Sequence, residues 1–195
     1  MELVIASTNV HKIRELRSML KKTKGIDLRS LLDFPHYRPL EETGSTFEEN
    51  ASVKAVHAAQ TLGKWTLADD SGLVVPALQG APGIFSARYA GPDATDAENR
   101  KKLLFEMRSL VEQERSATFE CSLVLASPQG IKKCAHGTCE GSILTHERGG
   151  TGFGYDPLFL KHEYSKTFAE MEEEVKNRIS HRRKALDKIL LHLID

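Results

Sequence analysis

Segments with the pattern of buried strands alternate with amphipathic helical segments along most of the chain. Leu3–Ala6 is a short apolar run typical of a buried strand, and apolar residues recur at helical spacing across Ile13–Leu20. Two longer strand patterns, 117–126 and 131–141, are separated by Ser-Pro-Gln-Gly, which indicates a hairpin. Alternating strands and helices with one hairpin predict an α/β fold built on a mixed β-sheet.

The remaining elements follow the same alternation. A helix beginning at Ser45-Thr46 matches a capping box, Thr46 with Glu49, and ends at Gly63. Further strands are predicted at 26–32, 65–68 and 73–75. A third helix is predicted to begin after an N-cap at Asp93 or Thr95, and two more helices are predicted at 170–176 and 181–194. We expect a single domain over residues 1–195, whose functional segments converge in a cleft.

The overall charge is balanced. The chain has 195 residues, with 27 lysines and arginines against 27 aspartates and glutamates, so its net charge favours neither a nucleic-acid nor a membrane partner. No apolar run approaches the roughly 20 residues that span a bilayer. Met1–Ala6 lacks the features of a signal peptide. We therefore expect a cytoplasmic protein.

The three cysteines do not form a disulfide framework. Cys134-Ala-His136-Gly-Thr-Cys139 has the residue types of a zinc site, but the sequence offers no matching second half. We expect Cys121, Cys134 and Cys139 to be reduced thiols in strands.

A glycine-rich segment, Gly149–Pro157, contains two aromatic residues and a carboxylate. Because glycines let a backbone approach a ligand closely and adopt positive φ, the segment fits a loop shaped around a flat, hydrogen-bonding ligand. A glycine-rich turn between strands, with its aromatic side chains in the core, explains the same residues.

Ser7–Lys12 joins the first strand to the first helix. Backbone N–H groups at a helix start, together with the helix dipole, favour an anion there, and Lys12 adds a full positive charge. The segment lacks the glycines of a Walker A motif. The alternative is that Thr8 or Asn9 merely caps the helix.

Asp69-Asp70-Ser71-Gly72 is predicted to lie at the end of a strand, where adjacent carboxylates point to opposite sides. One carboxylate can then face a cleft while the other makes structural hydrogen bonds. Mg²⁺ prefers a few carboxylate oxygens together with substrate phosphates and water, and the doublet Glu41-Glu42 offers a second carboxylate. An Asx turn is the alternative.

Basic residues occupy two unusual positions. Lys54 lies within the apolar stripe of its helix, so it either snorkels outward or points into a cleft. Lys176 and Ser180–Arg183 bracket the start of the last helix, where positive charge opposes the helix dipole unless an electron-rich group lies nearby. Ser180 is a good N-cap, which leaves His181 and Arg182 able to donate to a carbonyl oxygen. A solvated basic surface is the alternative.

Taken together, these segments resemble the inosine triphosphate pyrophosphatase family, in particular its bacterial branch. Each segment is weak evidence alone, but they run in the family's order and cover nearly the whole chain. The matching segments are Ser7–Glu15, Glu41–Ala51, Ala68–Leu73, Gly80–Tyr89, Gly152–Pro157 and Ser180–Arg182.

The resemblance implies an elongated mixed β-sheet flanked by helices, with two lobes around a central cleft, in a homodimer. It implies Mg²⁺-dependent cleavage between the α- and β-phosphates of ITP, dITP or XTP, which yields the monophosphate and pyrophosphate. Asp70 is implied as general base and metal ligand, with Glu41 as the second metal ligand and Glu42 as the alternative to Glu41.

The resemblance also implies which residues bind substrate. The triphosphate would be bound by Ser7, Thr8, Asn9, Val10, His11, Lys12 and Lys54. Ser71 would contact substrate, and Phe153, Gly154, Tyr155 and Asp156 would surround the base. Lys176, His181 and Arg182 would read the base edge. Donors there match the C6 oxygen of hypoxanthine and xanthine, whereas adenine would leave them unpaired.

Two other functions fit parts of the pattern. One is a pyrophosphatase for pyrimidine or modified nucleotides of the septum-formation inhibitor type, against which Phe153–Asp156 and Ser180–Arg182 argue. The other is a non-catalytic module that binds nucleotides or nucleic acid. Such a module needs neither Asp70 nor Glu41, and the zero net charge disfavours a nucleic-acid partner.

Overall fold

The computed structural model describes residues 1–193. Seven strands form one sheet in the order β2-β1-β3-β4-β5-β6-β7. The strands are β1 (Glu2–Ile5), β2 (Asp27–Ser30), β3 (Trp65–Val74), β4 (Ser116–Ser127), β5 (Gly130–Ile143), β6 (Phe159–Lys161) and β7 (Lys166–Thr167). The helices are α1 (Val10–Leu20), α2 (Phe47–Leu62), α3 (Asp96–Glu106), α4 (Glu173–Ile179) and α5 (His181–Leu190).

The sheet is mixed. β1 pairs in parallel with both β2 and β3, whereas β6 is antiparallel to both β5 and β7. β4 and β5 are neighbours joined by two residues, as the hairpin prediction required. The α/β fold with a mixed sheet and flanking helices is therefore confirmed.

The chain forms two compact units. The first contains residues 1–70, 121–137 and the chain from His181 onward, and the second contains Ser71–Glu120 and Thr138–Ser180. β3 belongs to the first unit through Asp70 and to the second from Ser71. The single domain expected over residues 1–195 stays a prediction.

In the first unit, the alternation of side chains along each strand distributes the core over two faces. On one face, Leu3, Ile5 and Leu67 pack with apolar residues of α1 and α5. On the other face, Val4, Ala6 and Ala68 pack with the alanines of α2. Alternate residues of β3 therefore face different helices. Leu67 and Asp69 lie on the side of α1 and α5, whereas Ala68 and Asp70 lie on the side of α2.

Helix α2 lies against the sheet through a stripe of small residues. Ala51, Ala55, Ala58 and Ala59 are fully buried. The helix begins after Thr46, whose hydroxyl accepts from the backbone N–H of Glu49 at 3.1 Å. The Glu49 carboxylate reaches one residue beyond the predicted capping box, to the backbone N–H and hydroxyl of Ser45. Gly63 ends the helix with a φ of 64°, as predicted.

The core of the second unit contains a cluster of aromatic rings among aliphatic side chains. The ring centroids of Phe119 and Phe159 lie 4.6 Å apart, and those of Phe119 and Phe168 lie 5.8 Å apart.

Thr95 caps α3 and forms a capping box with Glu98, so Thr95 rather than Asp93 is the N-cap.

Three sequence-based boundaries were different in the structure. Asp69-Asp70 does not end a strand, because β3 continues through the doublet to Val74. Helix α4 starts at Glu173, three residues later than predicted, because residues 168–170 form a separate 3₁₀ turn. The last helix ends at Leu190, earlier than the predicted end at Ile194, which itself lies outside the described residues. Among residues 1–193, no helix is both long and apolar enough to cross a membrane.

Candidate functional site

The adjacent carboxylates of β3 serve different partners. Asp69 is 1% exposed and Asp70 is 6% exposed. Successive side chains of a strand point to opposite faces, so Asp69 meets α1 and α5 while Asp70 meets α2. The predicted opposite orientation of the two carboxylates agrees with these contacts, whereas the role of Asp70 in a cleft stays a prediction.

Asp69 lies at the centre of a buried ion-pair network. Its Oδ1 is 2.5 Å from Nζ of Lys12, and its Oδ2 is 2.7 Å from Nε of Arg182. Arg182 also pairs with Glu15 of α1. Burial opposes ionisation of Asp69, but the charges of Arg182 and Lys12 outweigh it and hold the pKa of Asp69 well below its ordinary value. The network ties α1 and α5 to β3.

Asp70 lies in a second, more accessible cluster. Nζ of Lys54 is 2.9 Å from Oδ1 of Asp70 and 3.1 Å from Oε1 of Glu42. It also donates to the carbonyl of Asp69 at 2.9 Å. Burial raises the pKa of Asp70 above its ordinary value, although Lys54 opposes the shift. Burial alone would lower the pKa of Lys54, but Asp70 and Glu42 raise it, so the ammonium stays charged.

This second cluster has the donor chemistry of a hard-cation site. The carboxylates of Asp70 and Glu42 converge on one positive charge, the ammonium of Lys54. Within residues 1–193, no group of three or more histidine, cysteine or carboxylate side chains is arranged to hold a metal ion. Hard cations such as Mg²⁺ are commonly held by one or two carboxylates together with phosphate or water oxygens, so this pair of carboxylates fits a hard cation whose other ligands are not side chains.

The start of α1 is arranged as a cap. Oδ1 of Asn9 accepts from the backbone N–H groups of His11 and Lys12 at 3.0 and 3.2 Å. The hydroxyl of Ser7 accepts from the backbone N–H of Asn9. Thr8, Asn9, Val10 and His11 are exposed. An anion bound here would replace Oδ1 of Asn9 as the acceptor for the backbone N–H groups of His11 and Lys12.

In the second unit, the glycine-rich segment is organised around Asp156. Its Oδ2 accepts from the backbone N–H of Phe153 at 2.9 Å and is 2.5 Å from Nζ of Lys176. The ammonium of Lys176 lies 4.8 Å from the ring centroid of Phe153. Tyr155 is buried and donates to the carbonyl of Ser86. Tyr155 therefore belongs to the core, whereas Phe153 is half-buried and is held by Asp156 and Lys176.

Comparison with known proteins places the chain in a family. The Ham1 family profile matches residues 3–192. The chain belongs to the Ham1 family. This confirms the family predicted from the six sequence segments.

Relatives within the Ham1 family are similar over nearly their whole length. A dITP/XTP pyrophosphatase from Protochlamydia amoebophila is 57% identical over 190 residues, which cover 97% of this chain and 96% of that protein. One from Chlamydia muridarum is 54% identical, covering 97% and 91%. The solved structure of a HAM1 protein from Coxiella burnetii matches with a TM-score of 0.89 at 42% identity, covering 99% and 98% of the chains. That of the Staphylococcus aureus Ham1 protein gives 0.86 at 41%, with the same coverage.

The structure of this Ham1 family chain brings the predicted residues together in two groups. Lys12, Lys54, Asp70, His181 and Arg182 belong to the first unit, together with Ser7–His11 and the Glu41-Glu42 doublet. Ser71, Phe153–Asp156 and Lys176 belong to the second unit. Within the doublet, Glu41 is exposed, whereas Glu42 is half-buried and pairs with Lys54.

The basic run at the start of α5 is divided between core and surface. His181 and Arg182 are 5% and 1% exposed, respectively. Arg183 is half-buried and pairs with Asp187 at 2.8 Å, and Lys184 is exposed. The solvated-surface interpretation therefore describes Arg183 and Lys184, but not the two residues before them.

Sequence reasoning gave no role to Asn50 or Cys121. Asn50 is 1% exposed and contacts Asp70, and the thiol of Cys121 donates to Oδ2 of Asp69 at 3.1 Å. Burial and the charge of Asp69 raise the pKa of the Cys121 thiol, so it stays protonated as a donor. Asn50 did carry a signal, since it is a polar residue in the apolar stripe of α2, one turn before Lys54.

Proposed function

We propose that this chain hydrolyses ITP, dITP and XTP to the monophosphate and pyrophosphate, and so removes non-standard purine nucleotides. The observation that carries the proposal is that the two adjacent aspartates of β3 have different partners. Asp69 is neutralised by Arg182 and Lys12 in the interior, which leaves Asp70 beside Lys54 and Glu42 as the carboxylate available for chemistry. The names of the relatives, dITP/XTP pyrophosphatase, support the same reaction.

The triphosphate is assigned to the first unit. Ser7–Lys12 offers backbone N–H groups at the start of α1, and the ammonium of Lys54 exchanges its carboxylate partners for phosphate oxygens. Mg²⁺ is the proposed cofactor, held by Asp70 with Glu42 or Glu41, and when bound it neutralises phosphate charge. Glu42 is the partner that the contact with Lys54 supports.

Asp70 is the proposed general base. It takes a proton from water as the water oxygen bonds to the α-phosphorus. The bond from the α-phosphorus to the bridging oxygen breaks, and pyrophosphate leaves with that oxygen and the electron pair of the bond. Burial raises the pKa of Asp70 from its ordinary value. A carboxylate is a better proton acceptor when its pKa is closer to neutrality.

The purine base is assigned to Phe153–Asp156, with Ser71 as a further substrate contact. Phe153 offers a half-buried ring whose position is fixed through Asp156 and Lys176. Lys176 and His181 are proposed as donors to the C6 oxygen. The proposed contact of Arg182 with the base edge needs its guanidinium to serve Asp69 and Glu15 as well, because both pairs are present in the structure.

Selectivity follows from the burial of these donors. Lys176, His181 and Arg182 are each at least nine-tenths buried. A buried donor left without an acceptor costs about 1–3 kcal/mol, so an amino group at C6, as in adenine, is disfavoured at each donor that faces it.

We also propose that the chain acts in the cytoplasm as a homodimer, without a nucleic-acid partner.

The test is release of pyrophosphate from ITP, dITP, XTP, GTP, ATP and dTTP with Mg²⁺, beside an EDTA control. We expect metal-dependent release from ITP, dITP and XTP and little from ATP and GTP. Guanine shares the C6 oxygen, so low release from GTP has to come from exclusion of its 2-amino group. Release mainly from dTTP would replace the proposal with a pyrimidine pyrophosphatase. Nucleotide binding without release would replace it with a binding module.

A further inference from the structure

The side chain of Asn50 bridges the acidic loop and the carboxylate of Asp70. Its Oδ1 accepts from the backbone N–H of Gly44 at 2.8 Å, and its Nδ2 donates to Oδ2 of Asp70 at 3.3 Å. Asn50 lies on α2 and is 1% exposed. One buried amide thus joins the segment that carries Glu41 and Glu42 to the proposed general base.

The orientation of this amide follows from its neighbours. A backbone N–H can only donate, so the Asn50 atom facing Gly44 is the oxygen. The amide nitrogen therefore faces Asp70, where a carboxylate is the matching acceptor. A flipped amide would place two donors together on one side and two acceptors together on the other.

Lys54 does not provide the same constraint. It contacts Oδ1 of Asp70, but an ammonium on a flexible stem is a point charge that sets no plane. The terminal torsion of an aspartate is broad, so a second contact at the other oxygen is needed to fix the plane of the carboxylate. If Lys54 turns to a phosphate as proposed above, the contact from Asn50 remains.

We propose that Asn50 is a positioning residue. It sets the plane of the Asp70 carboxylate and holds the loop that carries Glu41 and Glu42 at a fixed position beside that carboxylate. This inference rests on the proposed function for its kinetic test, but not for its metal-binding test. Asn50 acts through Asp70 and needs no contact with the nucleotide.

The kinetic test uses Asn50→Ala and Asn50→Asp. Asp retains the acceptor for Gly44 but loses the donor, and Ala loses the donor without adding charge. We expect both to lower kcat for ITP by on the order of 10- to 100-fold, with less than about a threefold change in KM. Asn50→Asp also places a second carboxylate beside Asp70, so Asn50→Ala decides the test, and an unchanged kcat in Asn50→Ala would overturn the proposal.

The matched control is Asn99, whose amide is also buried between two partners. Asn99 is 2% exposed, accepts from the backbone N–H of Ala90 and donates to the carbonyl of Ala87. Asn99→Ala should lower the melting temperature as Asn50→Ala does, but leave kcat of the folded protein unchanged. An equal loss of kcat in both variants would show a general effect of losing a buried amide, and would refute the specific role.

The metal test needs no turnover. Titration of the nucleotide-free protein with Mn²⁺, followed by electron paramagnetic resonance, should show affinity weakened by on the order of 10- to 100-fold in Asn50→Ala. Unchanged affinity would contradict the proposal. If the unmodified protein released no pyrophosphate, the proposed function would fail while this measurement still decided the role of Asn50.

Gly44→Ala approaches the same amide from the other side. An added Cβ would lie 2.6 Å from Oδ1 of Asn50 and 2.8 Å from Cβ of Glu49, so the Asn50 side chain must shift. We expect the same fall in kcat and in Mn²⁺ affinity. This variant decides the matter if Asn50→Ala does not fold, and normal kinetics in Gly44→Ala would count against the proposal.

Discussion

The ammonium of Lys54 lies 2.9 Å from Oδ1 of Asp70, so a side chain of α2 neutralises the carboxylate proposed as general base on β3. Glu42 shares the same ammonium at 3.1 Å. Lys54 therefore occupies the point where the two carboxylates converge. A divalent cation and this ammonium would compete for the same oxygens.

Lys54→Met should separate metal binding from turnover. Without the competing ammonium, the nucleotide-free protein should bind Mn²⁺ more tightly, by on the order of tenfold. Turnover of ITP should fall by on the order of 100-fold, because the cation that we propose for the phosphates is lost. Lys64→Met is the control, since Lys64 pairs with Glu2 at 2.6 Å and contacts neither carboxylate. Unchanged Mn²⁺ affinity in Lys54→Met would contradict the competition.

The aspartate doublet should separate stability from turnover. Asp69→Asn breaks a fully buried pair with Arg182 and should lower the free energy of unfolding by about 3–5 kcal/mol. Asp70→Asn should cost less stability, retain nucleotide binding and lower turnover by on the order of 10²- to 10⁴-fold. Urea unfolding and single-turnover kinetics measure the two effects. Equal turnover in Asp70→Asn and the unmodified protein would remove Asp70 from the chemistry.

The fold and part of the site were predictable because the relevant signals are local. Thr46 and Gly63 mark the two ends of α2 through contacts within a few residues. The opposite orientations of Asp69 and Asp70 follow from strand periodicity alone. Lys54 stood out as a charged residue in an apolar stripe, and the structure gives it two carboxylate partners.

The remainder depends on contacts between residues far apart in the chain. Arg182 pairs with Glu15, 167 positions away, so helical periodicity alone does not show that Arg182 is buried in an ion pair while its neighbour Arg183 is half-buried. The choice within Glu41-Glu42 depends on a loop whose path is fixed from α2, through the Asn50 amide and Lys54. Local pattern alone does not contain those constraints.

Arg182→Met should destabilise the protein far more than Arg183→Met. The first leaves Asp69 and Glu15 buried without their guanidinium, at about 3–5 kcal/mol. The second removes an i,i+4 surface pair with Asp187, at about 0.3–0.5 kcal/mol. Adding Glu15→Met to Arg182→Met should restore part of the loss, because a buried carboxylate that has lost its guanidinium partner is removed. Strictly additive losses by denaturant unfolding would show that Glu15 and Arg182 are not coupled.

His181→Ala should erode discrimination more than it slows turnover. His181 is 5% exposed at the start of α5. Loss of this proposed donor to the C6 oxygen should reduce the preference for ITP over ATP by about 1–3 kcal/mol at most. The measurement is kcat/KM for both nucleotides in the variant and the unmodified protein. An unchanged ratio of ITP to ATP would assign the base edge to other residues.

Gly152 and Gly150 offer a matched pair within the glycine-rich segment. Gly152 has a φ of 78°, and an added Cβ would overlap the Asp156 carboxylate, whereas nothing lies within 4 Å of a Cβ at Gly150. Gly152→Ala should therefore displace Asp156 from Lys176 and from the backbone N–H of Phe153, at about 1–3 kcal/mol of stability. KM for ITP should rise about tenfold, which corresponds to about 1.4 kcal/mol of binding. Gly150→Ala should change neither quantity. Because the two substitutions add the same methyl group two residues apart, equal KM values would show that the Asp156 arrangement does not govern nucleotide binding.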